Sequence, residues 1–262
     1  MINEKPKNIE EYKEWLKRIH NITITKREIT YYESICRDMK EFFIGDTFWK
    51  QLNDKLKTYE WDYSQKNSGY KLLYDTEVIL VSKPFKSFFS KTFRRNIIEN
   101  NNWPNEPYGG WVLPIDCLEN INDILRTLIA VKYLDGVKFI SERIKELCRE
   151  FDKKCEVIYQ AKEEGYYAVH LYTDQEFEIP KIDWDSKKIS IKIEFQITTQ
   201  LQEIIRKLLH VYYEQKREAL TFKETKWQWD YGTDEFAANY LGHILHYVEG
   251  MIMEIREKQK GR

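Results

Sequence analysis

Residues 188–197, KISIKIEFQI, alternate without a break. Side chains of a strand point to opposite faces in turn, so Ile189, Ile191, Ile193, Phe195 and Ile197 fall on one side and Lys192, Glu194 and Gln196 on the other. A helix cannot collect these apolar residues on one face, so the chain must contain a β-sheet. One face of the strand builds a core; the other meets water or carries chemistry.

Around that strand the texture alternates. LIAVKYL (128–134), CEVIYQ (155–160) and YAVHLYT (167–173) read as strands, and VKFISERIKELCREF (137–151) as an amphipathic helix between two of them. The first seventy or so residues read as mainly helical: Ile9, Tyr12, Trp15, Leu16 and Ile19 recur at helical spacing, and a second amphipathic stretch covers Ile29 to Phe43. Val78 to Pro84 is a short apolar run stopped by proline, and KSFFSKTFRRNII then has the spacing of a basic helix. Glu99 to Trp111, with two prolines, two glycines and four asparagines, is a loop. Thr199 to Lys216 and Phe236 to Ile255 predict two closing amphipathic helices. The sum is an α+β chain.

Composition narrows the function classes. At 262 residues with 42% hydrophobic content the chain can bury a core. Lys plus Arg (42) nearly balances Asp plus Glu (43), so any phosphate site must come from local clustering rather than bulk charge. Cys36, Cys117, Cys148 and Cys155 lack CxxC spacing and are expected to be reduced. Neither an apolar leader nor a run of the roughly 18 apolar residues that span a bilayer occurs, so no membrane partner and a cytoplasmic location are expected.

The chemistry-bearing residues cluster in order. In GYYAVH, period two puts Tyr166, Ala168 and His170 on one side of a strand, just after Lys162. Alone, this would be an ordinary half-buried tyrosine and histidine. Downstream, Glu194 and Gln196 share the non-core face of their strand, and Arg206, His210 and Tyr213 follow at i, i+4 and i+7 of a helix. WQWDY (227–231) and the pair His243/His246 stand outside this series, the first reading as core or partner surface and the second lacking a third metal ligand.

The order GYxxxH (Gly165, Tyr166, His170), ExQxxT (Glu194, Gln196, Thr199) and HxxY (His210, Tyr213) resembles the synthetase domain of the RelA/SpoT family. Its ATP-site pattern KSxxSxxxK is matched by Lys86, Ser87, Ser90 and Arg94, and its acidic residue ahead of a strand by Asp123, with Asp135 downstream. Three positions depart from the pattern: Arg126 stands for a glycine, Leu128 for an arginine, and Pro84, beside Lys83, for an arginine before the motif lysine. Asp123-Ile124-Leu125-Arg126-Thr127 looks like the context of a toxin branch among the single-domain small alarmone synthetases. No HDxxED hydrolase motif is present.

The resemblance implies a nucleotidyltransferase-like mixed sheet flanked by helices. It implies a helical region 1–77, a synthetase domain 78–218 and a helical extension 219–262. It further implies an ATP-dependent pyrophosphokinase: Asp123 and Glu194 catalytic and holding Mg²⁺, facing one another from separate strands; Lys86, Ser90, Arg94 and Arg126 on ATP; Lys162, Tyr166, His170, Gln196 and His210 on the acceptor. Members of the toxin branch modify the 3′ CCA end of tRNA, which makes tRNA the first expected acceptor and an antitoxin protein a possible partner. Purine nucleotides, as used by small alarmone synthetases, are the alternative, and a catalytically inactive nucleotide sensor the second. Transfer of NMP is disfavoured, because that chemistry expects a GS pair, which the chain lacks. The oligomeric state stays open at this level.

Overall fold

The structure is a computed structural model that describes residues 4–114, 118–180, 185–208 and 226–260. Helix α1 (Ile9–His20) starts where the Asn8 side chain accepts from Glu11 N at 2.9 Å, and stops at Asn21 in the left-handed conformation. Helices α2 (Lys26–Gly45) and α3 (Thr47–Lys66) are separated by Asp46, whose carboxylate caps α3 through Phe48 N at 2.8 Å. Each buries one stripe, led by Tyr12 and Leu16 in α1, Ile35 and Met39 in α2, and Phe48, Leu52 and Leu56 in α3.

Strands β1 (Leu80–Ser82), β2 (Leu125–Val131), β3 (Cys155–Ala161), β4 (Tyr167–Pro180) and β5 (Ser186–Thr199) form one mixed sheet in the order β1-β2-β5-β4-β3. Helices α4 (Phe85–Phe93), α5 (Leu134–Glu150) and α6 (Asp234–Lys260) complete the named elements, and residues 200–208 are helical. The α+β class read from the sequence is the observed one. On β5, Ile189, Ile191, Ile193, Phe195 and Ile197 are all buried, as the alternation predicts.

Three local expectations are corrected. Strand β2 begins at Leu125 rather than 128 and ends at Val131, because Tyr133 turns the chain into α5. Asp123 lies in the turn before β2, not on the strand. The basic helix does not run through to Ile98: after Phe93 it widens to a π-turn over Arg94–Ile98, with Glu99 N bonded to Arg94 O at 2.8 Å.

The chain divides into two compact units that interleave the segments expected from motif coverage. The first comprises Met1–Phe43, Val81–Arg126 and Asp174–Ile193. Its organiser is the fully buried Asn96, whose amide donates to Tyr12 OH and to Val112 O at 2.8 Å and accepts from Val112 N at 2.9 Å. The π-turn therefore places a polar side chain where it holds down the Asn-rich loop. Trp15, Trp103, Trp111 and His20 pack together over the same loop.

The second unit comprises Ile44–Leu80, Thr127–Thr173 and Glu194–Arg262. Strands β3 and β4 pair antiparallel with Ile158 opposite His170. Helix α6 lies backbone to backbone on the turn that joins them. Gly165, at φ +76°, has no room for a side chain, since a Cβ there would stand 2.3 Å from Asn239 O; one on Gly242 would stand 2.4 Å from Gly165 O. At its far end α6 sends Arg256 between the rings of Tyr70 and Tyr133, 4.3 and 4.1 Å from their centroids, and onto Asp135 at 3.2 Å.

Candidate active site

In the first unit Asp123 is the centre of a charged cluster. Lys83 follows β1 and its backbone N–H bonds Ile124 O at 2.8 Å, which brings its ammonium to Asp123 Oδ2 at 2.7 Å. Lys91, in the last turn of α4, reaches Asp123 Oδ1 at 2.9 Å. Burial pushes the Asp123 carboxyl up, but the two ammonium groups outweigh it and hold it down at about 2. Burial lowers Lys83 in turn, against the pull of Asp123, with Lys91 and Arg126 adding to the lowering. Two cations held around one anion leave a net positive, partly desolvated spot suited to phosphate oxygens.

The expected ATP residues are distributed around it unevenly. Arg126 lies close enough to Lys83 to act on its charge. Lys86 and Ser90 are exposed on α4. Arg94 begins the π-turn and pairs with Glu99 at 2.8 Å, and Arg95 donates to Asn120 O at 2.5 Å. Lys91, which spacing alone did not single out, takes the position on Asp123.

In the second unit Glu194 is almost fully enclosed, its side chain 4% exposed. His170 Nδ1 lies 2.7 Å from Glu194 Oε1, and Tyr172 OH donates to the same oxygen at 3.1 Å. His170 Nε2 meets Tyr166 OH at 2.9 Å. A carboxylate can only accept, so the network assigns the imidazole proton to Nδ1 and leaves Nε2 to accept from the tyrosine. The result is a Tyr166–His170–Glu194 chain running from the residue just before β4, through β4, to β5. Glu194 Oε2 is buried and has no hydrogen-bond partner among the described residues. An orphaned carboxylate oxygen is costly unless something else binds it.

Other acceptor candidates surround this chain. The Lys162 ammonium stands 5.7 Å from the Tyr166 ring centroid, in the turn closed by Gly165 N to Lys162 O at 3.0 Å. Gln196 is half-buried on β5. His210, with Tyr213, lies outside the described residues. Arg206 makes a bidentate pair with the buried Glu203 at 2.6 and 2.8 Å, which raises its pKa, and Tyr166 lies near enough to add to the rise. Tyr172 shares the strand parity of His170, a signal that was available in the sequence; Glu203 carried none.

The metal fit is asymmetric. Among the described residues no group of three His, Cys, Asp or Glu can hold an ion. Mg²⁺ needs only one or two carboxylate oxygens beside phosphate. Glu194 Oε2 offers one directly, and Asp123 offers one in exchange for a lysine contact.

This α+β fold, a mixed five-stranded sheet with flanking helices, is similar to that of solved small alarmone synthetases. The solved structure of small alarmone synthetase 1 from Bacillus subtilis aligns over 90% of this chain and 98% of its own, at 16% identity and a TM-score of 0.53. The same enzyme bound to its product pppGpp aligns over 90% of this chain and 97% of its own, at 15% identity and a TM-score of 0.50. At such identities the likeness is one of fold. No family model and no curated protein sequence matches the chain. Among the described residues no helix is long and apolar enough to cross a membrane.

Proposed function

We propose that the chain is an ATP-dependent pyrophosphokinase that transfers the β,γ-diphosphate of ATP to a ribose hydroxyl. The observation that carries this reading is the unpartnered Glu194 Oε2 beside an Oε1 fixed by His170 and Tyr172. A carboxylate held on one oxygen and unpartnered on the other can take a proton from an acceptor hydroxyl brought against it, a role worth roughly 10²–10⁴ in rate. The acceptor O–H breaks with its proton passing to Glu194, the acceptor oxygen bonds the β-phosphorus, and the bond from that phosphorus to the α,β-bridging oxygen breaks to release AMP. Lys83 and Lys91 neutralise charge on the polyphosphate, and Asp123 keeps both ammonium groups in place until the phosphates arrive. Asp123 and the polyphosphate would hold Mg²⁺, which supplies further charge neutralisation when bound. Tyr166 and Lys162 flank the acceptor base, and Arg126 and Lys86 the nucleotide donor.

The acceptor we assign first is the 3′-terminal adenosine of tRNA, because the Asp123–Thr127 context resembles the toxin branch and a single-stranded end can stack on Tyr166. Such an enzyme would block translation and call for a neutralising partner protein. A second reading, transfer to GDP or GTP, is favoured by the fold relative that binds pppGpp. It gains from the internal pairing of Lys83, Lys91 and Arg94, which leaves these cations less available to the phosphates of an acceptor stem. Incubation with γ-³²P-ATP and, in parallel, deacylated tRNA, aminoacylated tRNA, GDP, GTP and AMP tests both. Label on deacylated tRNA alone is expected. Label on nucleotides alone replaces the tRNA reading, and no label on any acceptor removes the kinase reading.

A further inference from the structure

Two cysteines that the catalytic reading does not use are brought together where α5 hands the chain to β3. Helix α5 closes in a Schellman motif: Asp152, left-handed at φ +51°, donates its N–H to Arg149 O at 3.1 Å, and Lys153 N–H reaches back to Cys148 O at 2.8 Å. The motif turns the chain back over the last helical turn. Cys155 therefore enters β3 beside Cys148, with only six residues between them. Across the ladder Cys155 stands opposite Thr173 of β4, and the Cys148 side chain meets both the Thr173 side chain and the Cys155 thiol.

The two sulfurs differ as an attacking and a resolving thiol must. Cys148 is fully buried, whereas Cys155 is half-buried, so a small solute can touch it. The Cys148 S–H donates to Cys155 Sγ, which holds the Cys155 thiol below its ordinary value against the effect of burial, and Lys145 and Arg149 add to the lowering. The same hydrogen bond, with burial, pushes Cys148 up. Glu150, next to Arg149 in the chain, is drawn to Lys55. Cys36 makes the contrast: it is buried in α2, and burial pushes its thiol up to about 11.

We propose that Cys155 and Cys148 are a peroxide-reactive pair that closes to a disulfide, tying the end of α5 to the edge strand β3. The inference is independent of the proposed activity. The Cys155 thiolate attacks one oxygen of a hydroperoxide, the O–O bond breaks, and the departing oxygen leaves as alcohol or water once it takes a proton; Cys155 is left as a sulfenic acid. The Cys148 sulfur then bonds Cys155 Sγ, the S–O bond breaks, and the hydroxide leaves as water with the Cys148 proton. Two thiols have lost two electrons and the peroxide has gained them.

The test treats the full chain with stoichiometric hydrogen peroxide and reads intact mass and a non-reducing tryptic map. Wild type is expected to lose the mass of two hydrogen atoms and to give peptides 146–149 and 155–162 joined, since Arg149, Lys153 and Lys154 let trypsin cut between the cysteines. Dithiothreitol should restore both thiols, and Cys36 should stay reduced throughout. Cys155→Ser is expected to form no disulfide at Cys148, and Cys148→Ala to stop at a Cys155 sulfenic acid that dimedone traps. Iodoacetamide should modify Cys155 more than about tenfold faster than Cys36. Circular dichroism checks the variants; if Cys148→Ala does not fold, the wild-type map and Cys155→Ser decide alone. Both thiols intact at a dose that oxidises free cysteine overturns the proposal, as does Cys155 joined instead to Cys36 or Cys117. Alkylation of Cys155 no faster than of Cys36 removes it as the attacking thiol.

Discussion

His170 and Glu194 are locked together on adjacent strands, Nδ1 to Oε1 at 2.7 Å, and the contact fixes which carboxylate oxygen is left without a hydrogen bond. Neither nitrogen of the imidazole is spare, because Nε2 meets Tyr166 OH at 2.9 Å. On the proposed reading, the histidine acts on the acceptor through Glu194, as a positioning residue.

Glu194→Gln keeps the shape of the side chain and removes the proton acceptor. Transfer is expected to fall by roughly 10²–10⁴ with the fold retained. His170→Asn should lower kcat by a smaller factor and leave KM for ATP nearly unchanged, since it loosens the base without touching the donor nucleotide. Steady-state kinetics with each substrate varied, alongside circular dichroism, check both. Full activity in Glu194→Gln would remove the assignment.

Asp123 makes stability acid-sensitive. Its folded pKa, about 2, lies below its usual value of 3.8, so the stabilisation is complete above about pH 4 and disappears as pH falls through about 2. The contribution is on the order of 2 kcal/mol. Asp123→Asn should flatten the denaturant midpoint between pH 4 and pH 2. It should also weaken ATP use at neutral pH, because Lys83 and Lys91 lose the anion that holds them.

Glu249, buried on α6, has the opposite sign. Burial pushes its carboxyl up from 4.5 to about 7, with Thr199 and Gln202 offsetting part of the rise. A raised acid binds more protons folded than unfolded, so stability from this group is present below about pH 4.5 and declines as pH rises toward 7. Glu249→Gln is expected to raise Tm at pH 8 by several degrees and to do little at pH 5. An equal shift at both values would show that the carboxyl does not titrate in this way.

Gly242→Ala should be strongly destabilising, by roughly 2 kcal/mol or more, because the added methyl meets Gly165 O at 2.4 Å and neither backbone can give way cheaply. Thermal unfolding measures it. Gly250→Ala on the same helix, where space is open, is the control and should cost nothing.

Some of this was legible in the sequence and some was hidden by its nature. The β5 alternation announced its own burial, residue for residue, because a strand's period is local. The neighbourhood of Tyr166 and His170 was legible from the same alternation, while Lys162 reaches Tyr166 through the turn between β3 and β4. The grip of Lys83 and Lys91 on Asp123 did not, since it joins residues 40 and 32 positions apart and no local period reports such a contact. The π-turn at Arg94 was hidden for a related reason: it is set by Asn96 reaching Val112, a tertiary bond that overrides the helical spacing of Lys86, Ser90 and Arg94. Tyr172 was within reach, two residues from His170 on one face.

The two anchorages of α6 give this helix a mechanical role. Gly242 seats it on the turn that presents Tyr166, and Arg256 rivets its other end between Tyr70 and Tyr133. A strap fixed at both ends transmits loosening from one to the other. Cutting the rivet, as in Arg256→Ala, should therefore speed amide hydrogen exchange along α6 and in the 162–166 turn together, as one cooperative opening, and loosen the seat of Tyr166 from a point far along the helix.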